Sequence, residues 1–188
     1  WDNFQQAELN GRLANEAFWH GSSRVTFPVT AGARRELVEV RLPDGAPDTL
    51  MRYSANVRGG GWSDDGAVVL GGELLTPDAG GGAKPLAGKT GGLLYPEFFP
   101  GTRNLLGWRA NAGEDGEVCI AAISDGTISS LTALFKNDTA ARYTPSGGGR
   151  VLFVKNDNLY AQRLNLRARA VEGDPELIVR GVGSQPAL

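Results

Sequence analysis

Trp62-Ser63-Asp64-Asp65-Gly66-Ala67-Val68-Val69-Leu70 sets an aromatic residue, a tight polar turn and a short apolar strand in one line. The phrase returns as Phe18-Trp19-His20-Gly21-Ser22-Ser23-Arg24-Val25-Thr26-Phe27 and as Phe98-Phe99-Pro100-Gly101-Thr102-Arg103-Asn104-Leu105-Leu106. A fourth copy, Tyr143-Thr144-Pro145-Ser146-Gly147, runs on to Val151-Leu152-Phe153-Val154. The leading aromatics Trp19, Trp62, Phe98 and Tyr143 follow one another at 43, 36 and 45 residues. A period of roughly 40 residues with strand-turn-strand content is the signature of a β-propeller blade. A blade cannot bury both of its faces alone, so neighbouring blades are obligatory. The aromatics are therefore expected to be structural, wedged where sheets pack face to face.

Composition supports a folded domain and narrows the function classes. The 188 residues are 41% hydrophobic, enough for a real core. The formal net charge of −2 gives no electrostatic footprint for DNA or RNA, and no nucleic-acid partner is expected. The small cluster Arg163, Arg167 and Arg169 reads as a solvated face. One cysteine, Cys119, sits between Val118 and Ile120 and reads as a buried strand residue. With one Cys and one His, a Cys/His zinc site within the chain is excluded. No apolar run is long enough to span a membrane, so no membrane contact is expected from this segment. Gly is abundant, with 27 residues, many in doublets and triplets beside expected strands, where turns need positive φ.

The chain divides at the leading aromatics. Residues 1–17 are expected to end a preceding blade, with Gln5 to Leu9 as a strand. Blades are expected over residues 18–57, 58–92, 93–139 and 140–183, and residues 184–188 to begin another. Alternation places strands at Arg24 to Val29, Glu36 to Leu42, Asn104 to Trp108, Glu117 to Ile123, Val151 to Lys155 and Leu159 to Leu164. Asp-Gly and Asn-Asp steps mark turns at Asp65, Asp78 to Gly82, Asp125 and Asp157. No segment holds a 3.6-residue period, and almost no helix is expected.

The phrase resembles the TolB-like, WD40-like propellers, whose blades carry a Trp-Ser-Pro-Asp-Gly type motif. Trp62-Ser63-Asp64-Asp65-Gly66 matches it with Asp64 in place of Pro. Tyr95-Pro96-Glu97-Phe98-Phe99-Pro100-Gly101-Thr102-Arg103 is similar to a Pro-x-Phe-Leu-Pro-Asp-Gly-Arg segment in the C-terminal propellers of bacterial serine/threonine protein kinases. Arg150 to Gln162 is similar to the segment that follows there. The resemblance implies an all-β fold: a partial propeller of about four four-stranded antiparallel blades, a fragment of a six-bladed TolB-like ring. It implies a sensory or interaction module of a larger, kinase-linked signalling protein, on the periplasmic side of a tethered kinase rather than in the cytoplasm. The kinase catalytic motifs His-Arg-Asp and Asp-Phe-Gly are not in this chain, so the segment itself is expected to be non-catalytic. Missing blades would leave open faces and edges, so self-association or aggregation of the isolated segment is expected.

Arg58, Glu97 and Arg142 each stand just before a leading aromatic. The first strand of a blade lines the central channel, so these three are the expected ligand-binding residues at its mouth. The partner would be a protein, a peptide or a small ligand. No metal and no cofactor are expected: His20 reads as a solvent-facing turn residue, and Asp64, Asp65, Asp115, Asp125 and Asp157 as turn residues. An accessory propeller of a hydrolase or peptidase and a purely structural spacer are the alternative readings.

Overall fold

The computed structural model describes residues 13–14, 17–31, 34–53, 58–71, 73–75, 83–85, 92–111 and 114–183. The expected strand at Gln5 to Leu9, the turn at Asp78 to Gly82 and residues 184–188 lie outside the described residues. The chain forms two compact units, Trp1–Pro85 and Leu86–Leu188.

The first unit holds two antiparallel sheets. One contains β1 (Leu13–Ala14), β2 (Phe18–His20), β3 (Arg24–Ala31), β4 (Arg34–Arg41) and β5 (Asp48–Arg52). The other runs β6 (Gly60–Trp62), β7 (Val68–Leu70), β8 (Glu73–Leu75), β9 (Ala83–Pro85). β1 alters the expected blade boundary. Leu13 and Ala14 pair with Thr30 and Val29, the end of β3 beyond the stretch β2 covers, so they join this sheet rather than a preceding blade. The eight-residue β3 is too long for three-residue β2, and its open edge recruits the extra strand.

The second unit also holds two four-stranded sheets. β10 (Leu93–Phe98), β11 (Asn104–Asn111), β12 (Glu114–Ser124) and β13 (Thr127–Lys136) follow in order. β14 (Ala141–Thr144), β15 (Arg150–Lys155), β16 (Asn158–Asn165) and β17 (Ala170–Arg180) form the last sheet. The only helical segment among the described residues is a 3-10 turn at Ser146–Gly148. Asp115 lies inside β12 rather than in a turn.

The turn chemistry follows the sequence closely. Asp125 and Gly126 take φ of 52° and 72° between paired Ser124 and Thr127. Asn156 and Asp157 take 50° and 58° between paired Lys155 and Asn158. Two consecutive positive φ angles make the two-residue hairpin whose twist suits its strands. In the Trp62 phrase, Ser63 is the working residue: its hydroxyl donates to Asp65 at 2.5 Å and accepts from the Ala67 N–H at 3.0 Å.

Each unit has its own core, at the seam between its two sheets. In the first, Leu37 and Met51 meet Val68, Leu70 and Leu75, with Phe18 and Trp62 packed against them. In the second, Phe99, Leu106, Trp108, Val118 and Ile120 meet Val151, Phe153 and Leu164. The wedges differ from expectation in two of four phrases. Trp19 is 55% exposed, and its neighbour Phe18 packs inward; Phe99 is 1% exposed and displaces Phe98 as the core ring. Tyr143 packs as expected, edge-on to Phe99 with centroids 4.9 Å apart. The glycine triplet at 59–61 also departs from the turn reading. Gly60 and Gly61 lie within β6, and a Cβ on Gly60 would sit 2.9 Å from both the Phe18 ring and the Val69 carbonyl. Glycine there lets Phe18 reach the seam.

Candidate functional site

β10 and β14 each open a sheet of the second unit, and their side chains meet. Arg142 Nη1 lies 3.3 Å from Glu97 Oε2, and the Tyr143 N–H donates to Glu97 Oε1. Glu97 is expected from sequence as a ligand-facing group. Its side chain is 21% exposed and is spent on holding β14, whereas Arg142 is 55% exposed. Burial raises the Glu97 carboxyl above its ordinary value; the Arg142 charge and the Tyr143 N–H pull it back in part. The pair therefore presents one oriented guanidinium with donors left over for an acidic group.

The raised Glu97 carboxyl makes the stability of the fold depend on pH. A raised folded-state value means that Glu97 contributes stability below the unfolded value, lost as pH rises through the folded one. Lowering the pH from 7 towards 4.5 should thus shift the melting difference between wild type and Glu97→Gln in favour of wild type. Paired thermal melts across that range check it; a constant difference would show that burial does not perturb the carboxyl.

Arg58 is exposed just before β6 in the first unit, and within the second unit Glu97 and Arg142 meet. Sequence reasoning missed His20 as a seam residue. It lies in β2 rather than a turn and stacks on Trp62 with centroids 3.7 Å apart and planes 7° off parallel. Its Nδ1 is 2.5 Å from Glu39 Oε2, and its Nε2 is 3.2 Å from Arg24 Nη2. The guanidinium can only donate, so Nε2 accepts and Nδ1 carries the proton to Glu39. Trp62 is fixed in turn by its Nε1 donating to Thr26 Oγ1 at 2.9 Å. Both ring nitrogens are held by partners in the same sheet as His20, and the stacked Trp62 with its bond to Thr26 ties that sheet to the other one of the first unit. The signal in the sequence was strand alternation through Phe18-Trp19-His20, which places His20 on the same face as Phe18.

Arg163 and Arg169 are likewise occupied. Arg163 lies 3.5 Å from Glu172, and Arg169 Nη1 donates to Ser130 at 2.5 Å. A polar cavity of about 310 Å³ beside Tyr143 is lined by Arg163, Asn165 and Glu172, which satisfy one another. Cys119 is fully buried, and burial pushes its thiol up. Among the described residues no group of three or more His, Cys, Asp or Glu side chains is placed to hold a metal ion. No helix among them is long and apolar enough to cross a membrane.

Neither a protein-family model nor a curated protein sequence matches the chain. Solved structures do. TolB from Acinetobacter baumannii superposes with a TM-score of 0.61 at 12% identity, over 78% of this chain and 39% of that one. The fold is a TolB-like β-propeller. Putative TolB from Agrobacterium tumefaciens gives 0.58 at 15% identity, over 85% of this chain and 64% of that one. A chain of a nidogen/laminin complex gives 0.57 at 12% identity, over 87% and 80%. The chain thus spans 39% and 64% of the two TolB chains, and its four antiparallel sheets are a partial propeller.

Proposed function

We propose that this propeller segment is a non-catalytic binding module that recognises an acidic group on a protein or peptide through Arg142. The observation that carries the reading is the Glu97–Arg142 pair: a largely buried carboxylate orients a guanidinium that is itself 55% exposed. Arginine offers five donors in a fixed fork suited to carboxylates, and Glu97 occupies only part of it. The structural likeness to a chain of a nidogen/laminin complex is consistent with a propeller engaged in protein assembly. Sequence resemblance to kinase-linked propellers supports the finer reading, a sensory module of a longer signalling protein acting outside the cytoplasm.

The test is capture on an array of acidic peptides. Wild type should retain a subset of them. Arg142→Ala should weaken retention at least tenfold while the chain stays folded, because truncating one exposed guanidinium leaves the core intact; the melting temperature should fall modestly as the Glu97 carboxyl loses its counter-charge. Arg58→Ala, measured in parallel, reports whether the first unit contributes. Retention unaffected by Arg142→Ala would overturn the site, and no retention by wild type would favour a structural spacer.

A further inference from the structure

A second recess in the second unit has a different chemistry. Phe135, Phe153 and Tyr160 wall it, Pro175 borders it, and Lys136 and Lys155 lie at its rim. The rings form a continuous aromatic surface. Phe135 and Phe153 are 4.6 Å apart, tilted by 45°; Phe153 and Tyr160 are 5.8 Å apart and nearly parallel. The recess lies where β17 bulges. Gln162 of β16 faces the stretch Gly173-Asp174-Pro175, where the register shifts. Its side-chain amide donates to the Gly173 carbonyl at 2.6 Å, which fixes the bulge and holds Pro175 at the border.

We infer that this recess binds a small aromatic carboxylate free in solution, its ring laid against Phe135 and Tyr160 above the buried Phe153 and its carboxylate at Lys155. Size supports the ring. The volume is about 130 Å³ and the recess is open to solvent, so a ring seats there with its substituent outside; an enclosed apolar cavity of about 150 Å³ takes one whole benzene. The walls support it too, since aromatic rings attract a further ring edge-on or offset. Charge supports the carboxylate. Lys136 is already engaged within the protein, while Lys155 is exposed and forms no ion pair with a described residue. An exposed cation at the mouth of an aromatic pocket favours an anion over a neutral ring. The site is separate from Glu97 and Arg142 and does not depend on what they bind.

The probe is phenylacetate, titrated into the full chain and followed by amide and aromatic NMR shifts. Saturable shifts are expected at Phe135, Phe153 and Tyr160. Benzyl alcohol, which has the ring without the charge, and acetate, which has the charge without the ring, should each bind at least tenfold more weakly. Lys155→Glu should also weaken phenylacetate at least tenfold; because Lys155 is exposed, this variant keeps its fold, which the NMR spectrum itself verifies. Absence of saturation, equal binding of acetate, or binding indifferent to Lys155→Glu would each overturn the inference. A negative result here leaves the acidic-peptide reading of Arg142 standing, and the reverse also holds.

Discussion

Phe99→Ala should cost about 3–5 kcal/mol of stability, whereas Phe98→Ala should cost about 1 kcal/mol. The two rings are adjacent, so the comparison isolates packing from composition. Phe99 is 1% exposed and touches both sheets of its unit: it belongs to the core with Leu106 and Trp108, and it meets Tyr143 edge-on at 4.9 Å. Its backbone is held as well, since its N–H donates to the Asn104 carbonyl at 3.0 Å and its carbonyl accepts from Thr102. The cavity left by alanine therefore cannot collapse easily, and the cost falls in the upper range. Phe98 ends β10, is only partly buried and is absent from that core. Urea melts read the difference: with a slope of roughly 2 kcal/mol per molar, the Phe99 variant should lose about 2 M in midpoint. Equal losses for the two variants would restore Phe98 as the wedge.

That contrast shows where the sequence was legible. Strand positions, turn residues and the blade period came directly from alternation and from Asp-Gly and Asn-Asp steps, because these are local properties. Asp125-Gly126 and Asn156-Asp157 took the expected positive φ. The inward phase of each aromatic pair was not local. Between Leu94 and Glu97 the pairing with β11 slips, with Tyr95 at φ 51° and Pro96 beside it. One extra residue on β10 reverses which side chains face the core downstream, and no periodicity in the phrase announces it. Phe18-Trp19 presents the same ambiguity, decided by Gly60 on a strand some 40 residues away.

The candidate site was legible by position and opaque in role. Standing just before each leading aromatic placed Glu97 and Arg142 on the opening strands, and they do meet. Their division of labour depends on burial, which put Glu97 inside holding Tyr143 and left Arg142 outside. Asn137 was invisible for the same reason. It is 3% exposed, and its amide donates to Thr139 and to the Val154 carbonyl, tying β13 to β15. Those partners converge only after both sheets are built.

Gly116→Ala should cost about 1–3 kcal/mol although it adds a single methyl to a strand. In an exposed strand the same change would be neutral or favourable, because glycine weakens strands. Here a Cβ would fall inside the van der Waals shell of the Trp108 indole, 2.7 Å from its Nε1. The indole cannot step aside. Trp108 is 5% exposed, and its Nε1 donates to the Asn137 carbonyl at 2.8 Å. The Asn137 N–H in turn donates to the Gly116 carbonyl at 2.9 Å, so moving the ring disturbs both strands. Glycine at 116 is thus the floor on which Trp108 lies, and the strain should be specific to that ring. Trp108→Phe removes the fused ring that the new methyl would strike. The double variant should accordingly be less destabilised than the sum of the two singles, by about 1 kcal/mol. Strict additivity in a double-mutant cycle would mean that the cost of Gly116→Ala arises in the backbone and not against the indole.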